Sequence, residues 1–356
     1  SFAQQRLWLV DQLGQGSTQY NIPGAYELQG PLNVDAFKQA LATLLERHEV
    51  LRTHFVSIDG EPRQVIATDY SLPFRHQSLL ALDDEEQRKQ VQVISDEEAS
   101  RPFNLSADLM LRVHVLSLSE NVHRVLYTVH HIASDGWSMP ILHNELNTLY
   151  KAYSEQQGNP LPPLEVQYAD YALWQRGWLQ GEVLDKQLNY WQEQLAEMMP
   201  VHSLPLDKAR PAQQTFQAKT HIKQIDSQTS QAIRGLCEEQ GVTLFMFLET
   251  AFAVLLSRYS GESDIVIGTP IAGRTHHALE PLIGFFVNSL VLRTDVSNNP
   301  KFSELLQANK RVILDAYSHQ HIPFEMLVET LQPERSLAYN PLFQIMFSMQ
   351  NNDMGS

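Results

Sequence analysis

The run His130-His131-Ile132-Ala133-Ser134-Asp135-Gly136 gathers the side chains best suited to chemistry. A histidine ring is neutral or charged near pH 7 according to small changes around it, so it can accept a proton or hold a hydrogen bond to a substrate. Backbone N–H groups at the start of a following helix suit a developing oxyanion. Gly136 grants a backbone angle that side chains resist. Taken as a bare pair, the two histidines also fit one packed ring and one solvated ring, and both readings are open. A metal reading needs a third ligand at ordered spacing, and none is evident. His276-His277 is a useful control: it lacks the downstream Asp-Gly, sits in a polar stretch and reads as a solvated surface pair. His48, His54, His319 and His321 read as strand-face or loop residues. No Gly-rich loop follows a strand, so no nucleotide site is supported. No G-x-S-x-G elbow is present, which argues against a serine hydrolase of the α/β type.

Such residues need a rigid frame. Val122 to Val129 reads as a strand that runs directly into the histidine pair, and Ser138 caps a helix in which Ile141, Leu142, Leu146, Leu149 and Tyr150 share a face. Leu109, Leu111, Val113 and Val115 recur with the period of two of a half-buried strand, and Leu51, Thr53 and Phe55 do the same. From Asn33, a helix cap, Val34, Phe37, Leu41, Leu44 and Leu45 recur at helical spacing. Gln156 to Leu164 is Pro-punctuated and reads as a loop. An aromatic helical stretch runs from Tyr168 to Trp191, and a polar stretch from Leu204 to Gln217. The second half alternates in the same way, with a strand near Thr220 to Ile225, a helix from Thr243 to Tyr259 and a strand near Asp264 to Gly268. No residue-level repeat relates the halves.

The chain has 356 residues, a length that suits two domains or one fold in two lobes. Lys and Arg number 26 against 41 Asp and Glu, a net charge of −15, so the basic footprint of a nucleic-acid binder is missing. The acidity also repels anionic lipid surfaces, and no apolar run reaches the length of a membrane span. One cysteine, Cys237, rules out an intrachain disulfide and suits a reducing cytoplasm. The chain opens at Ser1 without Met or a signal peptide and reads as excised from something longer; the closing Gly355-Ser356 reads as a cloning remnant.

The motifs, taken in order, resemble a condensation domain of a nonribosomal peptide synthetase. Ser1 to Trp8 resembles the first core motif of that family and Arg47-His48-Glu49-Val50-Leu51-Arg52-Thr53-His54-Phe55 the second. His130 to Gly136, extended by Trp137-Ser138, is the HHxxxDG signature. Tyr168 to Trp174 is similar to the fourth motif, and Ile283 to Leu290, closing at Arg293, to the fifth. His319-Gln320-His321-Ile322-Pro323-Phe324-Glu325 matches the sixth, with His321 where an acidic residue is usual, and Asn340 to Gln344 matches the seventh. The opening motif and the HHIASDGWS form resemble domains that join an L-configured donor to an L-configured acceptor. Family members continue well past the seventh motif, so the C-terminal lobe is expected to be truncated here.

The resemblance implies a chloramphenicol-acetyltransferase-like fold of the α/β class: a V-shaped pseudo-dimer of two lobes with a central tunnel. Residues 1–175 are expected to form the N-terminal lobe carrying HHxxxDG, and 176–356 the C-terminal lobe. It implies formation of an amide bond between a donor thioester and an acceptor amine. Both substrates would be carried on the phosphopantetheine arms of upstream donor and downstream acceptor carrier proteins, beside an adenylation domain. No cofactor or metal belongs to the domain itself, and neither a nucleic acid nor a membrane is a partner. His131 and Gly136 are the expected catalytic residues, with His131 as proton acceptor or, slightly favoured, as positioner of the amine. His130 is expected to be structural. Asp135 is expected to pair with an arginine, Arg293 first and Arg52 second. Ser138 and Asn340 are expected near the substrate, while Trp137, Trp174 and Phe285 are packing residues. Two other readings remain: a CoA-dependent acyltransferase of the same superfamily, and a catalytically silent relative that recruits partners.

Overall fold

The structure is a computed structural model that describes residues 1–14, 18–215, 218–334 and 336–350. Two compact units divide the chain. The first contains Ser1–Trp178 and Arg274–Val287, and the second contains Leu179–Gly273 and residues 288–350. The return of Arg274–Val287 to the first unit is announced by no local sequence signal.

In the first unit, α1 (Phe2–Gly14) precedes β1 (Asn21–Gln29) and α2 (Val34–Arg47). Asn33 caps α2 by accepting the Ala36 N–H at 3.0 Å. A hairpin of β2 (Thr53–Ile58) and β3 (Glu61–Ile66) turns at Asp59-Gly60, both with positive φ, as a two-residue turn of this hand requires. Then follow β4 (Phe74–Ser78), α3 (Asp84–Ser100), β5 (Leu111–Ser117), β6 (Val122–His130), α4 (Ser138–Ser154) and α5 (Tyr168–Trp178). The sheet order is β1-β6-β5-β4, antiparallel except for the parallel β4–β5 pair. Its two faces are read by alternate residues. Val113, Val115, Val125 and Val129 join a core with Phe37, Leu41, Leu44 and Leu45 of α2 and Leu142, Leu146 and Leu149 of α4. Leu116 and Leu126 turn the other way, to Ile94 of α3. With both faces covered, β6 is buried along most of its length, and its last residue, His130, is placed by a stiff scaffold.

In the second unit, α6 (Gly181–Gln194) starts where Gly181 takes φ +56°. The aromatic stretch expected as one helix is therefore two. Next come α7 (Ser227–Gln240), capped by Asp226, α8 (Leu244–Ser260), capped by Thr243, and β7 (Asp264–Ile271). After the segment that returns to the first unit come β8 (Asn288–Asp295), α9 (Phe302–Ser318) and α10 (Phe324–Leu331). β7 pairs antiparallel with β8, and residues 345–347 bond the other side of β7 at Gly268. Ala253, Leu256, Ile265 and Ile267 form a core here. The strand expected at Thr220 to Ile225 is not formed: Ile222 and Ile225 are 87% and 56% exposed. A short run with Thr and Ile but no neighbouring strand to bond does not make one. Among the described residues no single helix is long and apolar enough to cross a membrane.

Candidate active site

The two histidines do different things. His130 closes β6, pairing with Asn21 of β1. Its Nδ1 accepts the Ile132 N–H at 3.0 Å, which caps the short 3₁₀ turn His131–Ala133 and leaves the proton of the neutral ring on Nε2. The ring packs edge-on against Phe103, with centroids 5.5 Å apart. Burial first, then the neighbouring His131 and Arg112, pull its pKa down to about 4, so it is neutral at pH 7.

His131 is half-buried. Its N–H donates to the Tyr20 carbonyl at 2.9 Å, and Gln4 of α1 donates to the Ile132 carbonyl at 2.9 Å, so the turn is held from both sides. Its ring stands edge-to-face on Phe285, 4.7 Å between centroids at 68°. Nδ1 is buried without a hydrogen-bond partner among the described residues, which leaves Nε2 as the open nitrogen.

Asp135 is fully buried. Its Oδ1 accepts the Ser138 N–H and hydroxyl, each at 3.0 Å, and its Oδ2 accepts the N–H groups of Phe286 at 2.9 Å and Val287 at 3.1 Å. Its ionic partner is Arg274, with Nη1 at 3.5 Å. The Arg274 side chain is 7% exposed, its guanidinium 4.5 Å over the Phe286 ring and donating to Ser138 Oγ at 2.9 Å and the Leu282 carbonyl at 3.0 Å. Desolvation lowers its pKa, and Asp135 opposes that. Ser138 Oγ also meets the Gly284 backbone, 3.1 Å from its N–H and 3.0 Å from its carbonyl. The carboxylate thus clamps the returning segment Arg274–Val287 onto the start of α4.

Gly284 is required by proximity. A Cβ there would lie 2.3 Å from the Tyr168 ring, whose hydroxyl donates to the Phe285 carbonyl at 2.7 Å. His48, read from sequence as a loop or strand-face residue, is 1% exposed. Its Nε2 meets Glu145 of α4 at 2.5 Å, and Arg47 bonds the same carboxylate at 3.0 Å. The second motif is therefore an anchor for α4.

Several expectations need correction. Arg293 does not pair with Asp135. It lies on β8 in the second unit and forks onto Asp264 of β7, both bonds 2.9 Å, because the antiparallel register brings those two side chains together. Arg52 does not pair with Asp135 either: its guanidinium donates to the carbonyls of Leu45 at 2.9 Å and Ala67 at 2.8 Å, closing its own loop. Ser138 is not the helix cap. Its N–H is capped by Asp135, and its fully buried hydroxyl is committed to the clamp rather than left for a substrate. Gly136 is exposed, has no positive φ and would meet nothing within 4 Å with a Cβ, so no special backbone angle is being granted. Asn340 is exposed in the second unit, its carbonyl accepting from Gln344 at 3.0 Å. His276-His277 is exposed as expected. Arg274 and Glu145 were missed; the signal available for Arg274 was a lone cation following the mostly apolar stretch Ile265 to Ala272. Among the described residues no group of three or more His, Cys, Asp or Glu could hold a metal ion.

The chemistry such a site permits is narrow. One imidazole nitrogen is open at the end of a strand, and the nearby carboxylate is spent on structure. Comparison with known proteins agrees in kind. A family profile described as Condensation domain matches residues 1–355. A linear gramicidin synthase polypeptide of Brevibacillus parabrevis is 46% identical over 354 residues, which are 99% of this chain and 5% of that polypeptide, so the chain spans a small part of that relative. The X-domain in a complex with OxyB from teicoplanin biosynthesis superposes with a TM-score of 0.84 at 30% identity, over 97% of this chain and 75% of that one. A four-domain nonribosomal peptide synthetase bound to AMP and glycine superposes with a TM-score of 0.80 over 98% of this chain and 26% of that one; at 22% identity it speaks for the fold alone. The expected chloramphenicol-acetyltransferase-like α/β class is the class of these neighbours. The chain belongs to the condensation-domain family of nonribosomal peptide synthetases.

Proposed function

We propose that this domain forms an amide bond between a donor acyl or peptidyl thioester and the amine of an acceptor aminoacyl thioester. Each substrate arrives on the phosphopantetheine arm of a carrier protein, donor upstream and acceptor downstream, within an assembly that includes an adenylation domain. The amine nitrogen attacks the donor carbonyl, the C–N bond forms, the C–S bond breaks, and the amine proton ends on the departing thiol. The thioester is already activated, so no nucleotide or metal is asked for. The opening motif and the HHIASDGWS form further point to an L-donor and an L-acceptor, and the single, buried Cys237 suits a cytoplasmic setting.

The observation that carries the reading is His131: a half-buried ring on a rigid strand end, with Nε2 open. Of its two roles, positioning the amine is the better supported. A general-base histidine is ordinarily oriented by a group at its other nitrogen. Nδ1 here has no carboxylate, and Asp135 has its oxygens committed to the clamp. A free α-amine titrates at about 7.7–8.0, so an appreciable fraction is already a nucleophile near neutrality. Holding two tethered substrates in line can supply up to about 11 kcal/mol.

A second reading, recruitment of a partner without catalysis, has an observation of its own: the X-domain superposed above was solved in a complex with OxyB. The test is amide formation with two loaded carrier proteins, comparing wild type with His131→Ala. Product from wild type and less than a tenth of it from a folded His131→Ala supports catalysis. No product from the folded wild type favours recruitment, and product from free acyl-CoA in place of the donor carrier favours the soluble-thioester relative.

A further inference from the structure

A histidine that works through one ring nitrogen is commonly aimed by a hydrogen bond at the other. His131 lacks that bond, because Nδ1 is buried with no partner among the described residues. The Tyr20 and Gln4 contacts fix its backbone but leave the side-chain torsions free. Packing must therefore set the ring. Among the described residues, the aromatic ring that meets the imidazole is Phe285, edge-to-face at 4.7 Å.

Phe285 is gripped on both sides. Its carbonyl accepts from the Tyr168 hydroxyl at 2.7 Å. The next two N–H groups, of Phe286 and Val287, donate to Asp135 at 2.9 and 3.1 Å. The residue before it, Gly284, donates its N–H to Ser138 Oγ and has no room for a side chain against Tyr168. These bonds fix the Phe285 backbone, and its ring packs against the hydrophobic core of the first unit, which holds it beside His131.

We propose that Phe285 is a positioning residue: clamped by Asp135, it selects the rotamer of His131 that keeps Nε2 in one direction for the amide-forming step. Asp135 then acts on the site through Phe285, without touching His131 or the substrates. The proposal rests on the reading of His131 given above. An edge-to-face ring contact biases a two-state rotamer equilibrium by roughly two- to tenfold, and kcat should fall by up to that factor when the contact is removed.

The test joins kinetics to NMR of the chain carrying ¹³C-labelled histidine, with His131 assigned by His131→Gln. In the wild type, the ring protons of His131 and Phe285 should cross-relax; no such signal overturns the contact whatever any variant does. Phe285→Leu should lower kcat on carrier-bound substrates by up to about tenfold, leave KM unchanged and the fold intact, and broaden the His131 resonance as a second rotamer appears. Phe285→Tyr should restore both kcat and the resonance. If Phe285→Leu does not fold, Asp135→Asn at low temperature serves in its place and should move the same His131 resonance; an unmoved resonance there overturns the coupling. Unchanged kcat in a folded Phe285→Leu, beside an inactive His131→Ala, overturns the proposal alone. A fully active His131→Ala removes the reading of His131 and the proposal with it.

Discussion

Replacing Asp135 by Ala would strip one acceptor from four donors at 2.9–3.1 Å: the N–H groups of Ser138, Phe286 and Val287, and the Ser138 hydroxyl. The hydroxyl can fall back on the Gly284 carbonyl and the Ser138 N–H on the Asp135 backbone carbonyl at 3.0 Å, but among the described residues no second acceptor is bonded to the Phe286 and Val287 amides. A buried donor left unpaired costs about 1–3 kcal/mol, and removing one member of a buried ion pair about 3–5 kcal/mol. The losses share one cavity and do not add, so we expect about 3–5 kcal/mol, which for a unit of this size lowers the melting temperature by about 6–20 °C. Arg274 should matter less. Its nearest nitrogen is 3.5 Å from the carboxylate, and without it Asp135 keeps all four neutral donors. Arg274→Met keeps a long side chain against Phe286, and we expect a loss of less than about 1.5 kcal/mol. Melting by calorimetry and by near-ultraviolet circular dichroism at pH 7, at low and high salt, decides the order. Equal losses for the two variants, or a greater one for Arg274→Met, would show that the charge pair and not the backbone bonds holds the clamp. A steep salt dependence would contradict the burial of the pair.

Three further outcomes follow from buried groups. His130 has a folded pKa near 4 against about 6.5 when unfolded; its contribution is full above pH 6.5 and is lost as pH falls toward 4, so His130→Asn, which keeps an acceptor for Ile132, should flatten that limb of the stability–pH curve. Glu249 has the opposite sign: burial, opposed by its bond from Asn309, raises its pKa to about 7, so its contribution is present below about pH 4.5 and lost as pH rises through 7. Glu249→Gln should stabilise the chain at pH 8 by up to about 3 kcal/mol and leave it unchanged at pH 4; no gain in denaturant midpoint at pH 8 counts against a buried proton there. Gly284→Ala drives a methyl group into Tyr168 and should cost about 1–3 kcal/mol, and an unaltered melting temperature would mean that the close approach is not real.

Much of the frame was legible in the chain itself. The period of two from Leu109 to Val115 marks β5, the strand-forming run Val122 to Val129 marks β6, the helical recurrence after Ser138 marks α4, and the motif order names the family, because periods of two and 3.6 and short motifs are written in neighbouring residues. What the neighbours along the chain do not encode is which distant group arrives. Asp135 is buried against Arg274, while Arg293 and Arg52, both better placed by motif, bond Asp264 and backbone carbonyls instead. The stretch Thr220 to Ile225, expected as a strand, stayed single for want of a partner, and the motif glycine that space demands is Gly284 and not Gly136. Ion pairs, ladders and close approaches form over a few ångströms of space, so they depend on where the fold returns the chain: here, on Arg274–Val287 coming back to the first unit to set Phe285 against His131.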